Sequence, residues 1–133
     1  MKYLIDTNIC IYIMNKRPVA VINRFKQHNP GDIGISAISV SELRYGAAKS
    51  LHSEKNQLRV NDFLVPFEIL PFDADMSVTY GQIRVELEKK GIPIGPLDMF
   101  IAAHALYYNL ILITNNEKEF MRVNRLKVEN WVE

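Results

Sequence analysis

The feature that most constrains this chain is the alternation of short apolar runs with stretches of helical periodicity. Tyr3-Leu4-Ile5, Ile33-Gly34-Ile35, Phe67-Glu68-Ile69-Leu70 and Leu110-Ile111-Leu112-Ile113 are too short for core helices and read as strands. Helices are expected at about Ile9 to Met14, from Pro18 with Val19, Ile22 and Phe25 on one face, from Ser39 to about Lys49, and from Ser53 to about Phe63. The segment Asp73 to Lys90 places Met76, Tyr80, Ile83 and Leu87 on one stripe, with Gly91 as its stop. A further helix, Leu97 to Tyr108, is apolar nearly all round and should be buried, and a last short strand is expected near Lys127-Val128. Strands separated by helices require crossovers, hence a mainly parallel central sheet with helices on both faces. At 133 residues this is one α/β domain, residues 1–133, which can bury roughly two-thirds of its unfolded surface without metal or disulfide staples.

Charge and cysteine content narrow the function. The formal net charge of +1 offers no long-range basic field and argues against a protein that coats DNA. It is compatible with a nuclease, in which metal-binding carboxylates offset phosphate-binding cations. The single cysteine, Cys10, excludes an internal disulfide and a four-cysteine zinc site, and its apolar neighbours mark it as a buried thiol. Met1-Lys2 leads straight into the first strand with no signal sequence, so the expected location is cytoplasmic.

Four acidic positions stand where a parallel sheet can gather functional groups on one rim: Asp6 and the Asn116–Glu119 cluster follow strands, Glu42 opens the helix after one, and Asp98 opens a helix that leads back into the sheet. Each has an ordinary structural explanation as well. Asp6, after the first strand, could cap a helix. Glu42 stands three residues after Ser39, a capping-box spacing. Asp98, after Gly95-Pro96-Leu97, lies in a first helical turn that favours acids. The cluster Asn115-Asn116-Glu117-Lys118-Glu119 follows the last long strand and could simply be solvated. Together, carboxylates gathered on one rim without matching cations would repel one another, and a hard divalent ion relieves that conflict. Such a centre can orient water and stabilise a pentavalent phosphate, which is phosphodiester hydrolysis.

At these residues the chain resembles the PIN-domain family, and more closely its VapC toxin branch. The resemblance rests on Tyr3 to Asn8, Ile38-Ser39-Val40-Ser41-Glu42-Leu43-Arg44-Tyr45-Gly46, Pro96 to Ala105, Leu112-Ile113-Thr114-Asn115-Asn116, and the ending Leu126 to Trp131. It implies a PIN-like three-layer sandwich with Asp6, Glu42 and Asp98 as metal-site acids, Thr7 and Asn8 supporting the first, and Thr114 and Asn115 lining the same pocket. The family pattern usually has Asp where this chain has Asn116; Glu119, one helical turn further on, is the candidate replacement. The resemblance also implies a Mg²⁺-dependent endoribonuclease, with Mn²⁺ as a possible substitute, that cuts initiator tRNA in its anticodon loop. Its implied partners are a small cognate antitoxin, in a toxin–antitoxin hetero-oligomer, and a second copy of the chain in a homodimer.

Lys16, Arg17, Arg44, Lys49, Lys118 and Arg122 lie near the acidic motifs and are candidates for phosphate contact, or ordinary solvated surface. Tyr12, Tyr45 and Phe120 could stack a base or pack in a core or interface. His104, on the buried helix, reads as a hydrogen-bonded core histidine. A phosphoacceptor receiver domain is the competing α/β reading, but the first strand offers Asp6 alone and Asn115 follows Thr114 where a lysine is required. A PIN module acting only as a binding scaffold is the other, and retention of Asp6, Glu42 and Asp98 argues against it.

Overall fold

A computed structural model describes residues 1–132. Among them, the strands β1 (Tyr3–Ile5), β2 (Ile33–Ser36), β3 (Glu68–Leu70), β4 (Ile111–Ile113) and β5 (Val128–Glu129) form one sheet in the order β3-β2-β1-β4-β5. Every pairing is parallel; Tyr3 stands opposite both Ile33 and Ile111, and Leu4 opposite Gly34 and Leu112. The helices are α1 (Thr7–Asn15), α2 (Val19–Lys26), α3 (Ala37–Ala48), α4 (Ser53–Leu64), α5 (Ala74–Lys89), α6 (Pro96–Tyr107) and the short α7 (Glu117–Phe120). None is long and apolar enough to cross a membrane.

Alternation along β1 divides the interior into two cores, because successive strand residues face opposite sides. Tyr3 and Ile5 join Ile9, Cys10, Val21, Ile35, Leu43 and Trp131 on one side, while Leu4 joins Leu70, Ile83, Leu87, Ile101, Ala102 and Phe120 on the other. The three-layer arrangement is the one that the strand–helix alternation predicts. The α5 stripe faces the second core as its periodicity requires, with Met76, Ile83 and Leu87 buried. Gly91 takes φ +67°, and the Ile92 N–H reaches back to the Leu87 carbonyl, so the helix stops where a residue tolerant of left-handed backbone stands.

Two local expectations are corrected. In α2, Pro18 is the cap, and the buried residue is Val21, with Ile22 and Phe25 beside it; Val19 is 68% exposed. Ile22 and Phe25 can share a helix face with either valine, and packing of α2 into the first core selects Val21. Val21→Ala is therefore expected to cost about 2 kcal/mol in chemical denaturation, and Val19→Ala within about 0.5 kcal/mol. The second correction concerns α3, which starts at Ala37 with Ser36 as its cap, two residues before the expected start at Ser39. The last short strand stands at Val128–Glu129, next to its expected place, and the residues after it are packed as well. Trp131 is fully buried, stacked on His28 at 5.1 Å between ring centroids and edge-on to Tyr3 at 5.6 Å.

Candidate functional site

In a parallel sheet all carboxyl ends point to one rim, and here the chain leaves β1 toward β2 and later returns on its other side as β4. That reversal opens the crevice in which such sheets place their sites. Asp6 is the first residue beyond β1 and Thr114 the first beyond β4, so the two meet at the reversal. The Asp6 backbone N–H donates to the Ile113 carbonyl at 3.0 Å, Oδ1 accepts the Ile9 N–H at 2.9 Å, and Oδ2 accepts the Thr114 hydroxyl. Asp6 thus caps α1 with one oxygen and is anchored to β4 by the other; the capping and site readings are not alternatives. With only 5% of its surface exposed, burial pushes its carboxyl up to about 6, opposed by the Thr114 and Ile9 hydrogen bonds and reinforced by the charge of Glu42.

The capping-box reading of Glu42 fails in the structure. Ser36 Oγ accepts the Ile38 N–H at 3.0 Å and starts α3, which leaves Ser39 inside the helix and fully buried. Glu42 instead accepts the Thr7 hydroxyl at 2.7 Å, and that hydroxyl also lies 3.0 Å from the hydroxyl of Ser39. Thr7 therefore orients Glu42, whereas support for Asp6 comes from the Asn8 and Ile9 backbone amides and from Thr114.

Asp98 lies in the first turn of α6, whose cap, Gly95, has no side chain to offer. Glu119 fills that role from α7: Oε1 accepts the Gly95 N–H at 3.0 Å, and Oε2 accepts the Asn116 side-chain amide at 2.6 Å. Asp98 and Glu119 also share a carboxyl–carboxylate hydrogen bond. Burial, then the charges of Glu119, Asp6 and Glu42, push Asp98 up to about 6. Glu119 moves down, chiefly because the Gly95 N–H stabilises its anion, so Asp98 is the member of the pair that takes up a proton first as the pH falls. Asn115 is exposed and donates from Nδ2 to the Tyr12 hydroxyl at 2.8 Å, which ties the loop after β4 to α1. Asn8 is exposed as well and lines a cleft of about 790 Å³ between α1 and α3, with Thr7, Ile11, Glu42, Tyr45 and Lys49.

These four acids come from four separate segments and share one electrostatic field. Their donors are all carboxylate oxygens, a set suited to hard Mg²⁺ or Mn²⁺ and unsuited to a thiolate site. Among the described residues no three of them converge closely enough to ligate one ion directly. The PIN domain family matches residues 3–126.

The chain belongs to the PIN-domain family. It is 46% identical over 132 residues, 99% of each chain, to "Ribonuclease VapC2" of Haemophilus influenzae, and 42% identical over 131 residues, 98% of each, to "tRNA(fMet)-specific endonuclease VapC" of Shigella flexneri. The toxin–antitoxin complex VapBC2 of Rickettsia felis, solved bound to a DNA fragment from its promoter, contains a chain that superposes with a TM-score of 0.91 at 44% identity, covering 98% of this chain and 99% of that one. Those identities place the PIN domain described here in the VapC branch.

The remaining candidates sort by their contacts. In this PIN domain Phe120 is core, Tyr45 is 66% exposed, and Lys49 lies 4.8 Å above the Tyr45 ring. Arg44 is bound to the carbonyl and side chain of Gln57, and Arg122 to the Pro93 carbonyl. Sequence reasoning missed Ser39 as a neighbour of Thr7 and the Gly95 amide as an anchor for Glu119. The first is hidden by the capping-box pattern and the second joins residues 24 apart in the chain.

Proposed function

We propose that this PIN domain is a divalent-metal-dependent endoribonuclease, the toxin of a toxin–antitoxin pair, acting in the cytoplasm on initiator tRNA within its anticodon loop. The observation that carries the nuclease reading is the gathering of Asp6, Glu42, Asp98 and Glu119 in one field, with two carboxyls raised to about 6 by burial and by the charges of acidic neighbours. A protein gains nothing in stability from such crowding, so its value lies in the charge it can receive. The substrate is carried over from relatives such as the Shigella endonuclease.

Asp6 and Asp98, with Glu42 and Glu119 directly or through water, would hold Mg²⁺ or Mn²⁺. When bound, the ion supplies charge for the phosphate and acidifies water. The residues do the positioning. Thr114 and the first amides of α1 fix Asp6, Thr7 fixes Glu42, and Glu119 fixes Asp98 through the first turn of α6. The exposed pair Tyr45 and Lys49 offers the incoming RNA a ring to stack on and a cation for its phosphate.

The antitoxin reading rests on the groove that leaves Glu42 along α1, α3 and α4. It is lined by Ile11, Met14, Leu43, Ala47 and Val60, with Arg59 on its edge. An apolar segment laid there would bring a basic side chain to the acids, where it pairs with the carboxylates and displaces the metal by charge. The homodimer is part of the same proposal.

The purified chain should cut initiator tRNA in the anticodon loop in Mg²⁺, stop in EDTA, and spare elongator tRNAs, as read by mapping the new 5′ ends. Uniform cutting of all tRNAs, or preference for mRNA, would sink the substrate while leaving the nuclease standing.

A further inference from the structure

His104 sits on α6, fully buried, with both ring nitrogens engaged. Nε2 lies 3.1 Å from the Pro71 carbonyl oxygen, which can only accept, so Nε2 carries the hydrogen. Burial lowers the pKa of the ring, the Pro71 carbonyl and the charge of Asp73 opposing, and the imidazole is neutral. Nδ1 is then an acceptor, and the Ser36 hydroxyl donates to it across 2.6 Å. Ser36 Oγ in turn accepts the Ile38 N–H. A single chain of donors thus runs from Ile38 through Ser36 and His104 to Pro71, with every member satisfied.

This chain joins three elements at the functional rim. Ser36 is the last residue of β2 and the cap that decides where α3 begins, and α3 carries Glu42. His104 is on the helix that carries Asp98. Pro71 follows β3 directly. The rings of Phe72 and Tyr108 pack on the imidazole at 5.2 and 6.1 Å, so an aromatic hydrocarbon would fit the site. A buried polar network in a place that would accept a hydrocarbon contributes specificity of arrangement more than stability.

We propose that His104 is a positioning residue that, through Ser36, holds the start of α3 in register with α6 and so sets Glu42 relative to Asp98 for divalent-metal binding. The inference rests on the nuclease reading above and adds to it a residue that touches neither metal nor RNA. His104→Phe keeps the packing and removes the hydrogen bonds; Ser36→Ala removes the other half of the link. Each is expected to weaken Mn²⁺ binding to the full-length chain, measured by calorimetry, about tenfold. The RNA-cleavage kcat should fall in step, with KM for RNA changed less than about twofold. The double variant should lose no more than the larger single one, since both cut the same link. In the wild type, imidazole ¹⁵N spectra should show hydrogen on Nε2 and none on Nδ1, which tests the link without any variant. Should His104→Phe not fold, Ser36→Ala carries the binding test. Variants that fold with unchanged Mn²⁺ affinity and kcat, or a wild-type ring with hydrogen on Nδ1, would overturn the proposal. A wild type that binds no divalent ion would instead overturn the nuclease reading.

Discussion

Asp6→Asn and Asp98→Asn are each expected to lower RNA cleavage by more than about a hundredfold, because even a residue that only supports a ligand is worth 10–100-fold in metal affinity or activity. The fold should survive both changes. Asparagine at 6 keeps an oxygen for the Ile9 N–H, and Asp98 is half-buried, with burial and neighbouring charges already raising its carboxyl to about 6. The metal-free Asp6→Asn protein should in fact be the more stable one at pH 7. The Asp6 carboxyl lies at 3.8 in an ordinary setting and about 6 in the folded chain, so folding opposes its ionisation. The resulting penalty is full above pH 6, shrinks as the pH falls toward 4, and is gone below both values. Removing the charge relieves it, less what is lost when the Thr114 hydroxyl must find another acceptor, leaving a gain of about 1 kcal/mol. The metal-free wild type should accordingly show greater stability near pH 4.5 than at pH 7 from this group, and Asp6→Asn should flatten that part of the profile. Opposite signs in activity and stability are the pattern of a site held against its own repulsion. Urea denaturation across pH, with RNA cleavage on the same samples, checks both; either variant cleaving at the wild-type rate in Mg²⁺ means the proposed site is wrong.

Glu119→Gln is expected to reduce cleavage about 10–100-fold, with partial recovery in Mn²⁺. The change keeps the shape and removes three things together: a charged acceptor for the Gly95 N–H, the anion that binds the Asn116 amide, and the partner of the Asp98 proton. Because the charge of Glu119 is the second-largest cause that raises Asp98, its loss should also bring the Asp98 pKa down and shift the acid limb of the pH–rate profile to lower pH. Full activity at limiting Mg²⁺ would leave Glu119 as a cap for α6 and reduce the centre to three carboxylates.

How much of this was legible in the sequence depends on how far each signal travels. The four longer strands were readable because each is a short apolar run that no helix could use, and the α5 stripe because it repeats over four turns. The start of α3 was not, since Ser36 and Ser39 are both competent caps. The Ser39–Glu42 spacing favours the second, whereas the structure uses Ser36 and turns Ser39 and Glu42 toward Thr7. That contact joins residues more than thirty apart, beyond the reach of any local pattern. Asp6 and Glu42 could be named from their positions after strands, Asp98 from its place at the start of a buried helix, and all three from the family resemblance. What could not be read is that Glu119 would anchor to Gly95, or that the buried His104 would find its partners at the ends of β2 and β3. In α2 the choice between Val19 and Val21 turned on packing into the first core, to which helical periodicity is blind.

Calorimetric titration of Mn²⁺ into the full-length chain at pH 6, in two buffers of different ionisation heat, tests the central claim most directly. Two carboxyls poised near 6 must give up protons when a cation binds among them. The wild type is predicted to bind with release of protons that diminishes at pH 7.5, and the Asp6→Asn/Asp98→Asn double variant to lose both binding and release. Binding that is unchanged in the double variant, or that releases no protons at pH 6, would contradict a metal centre built on these acids.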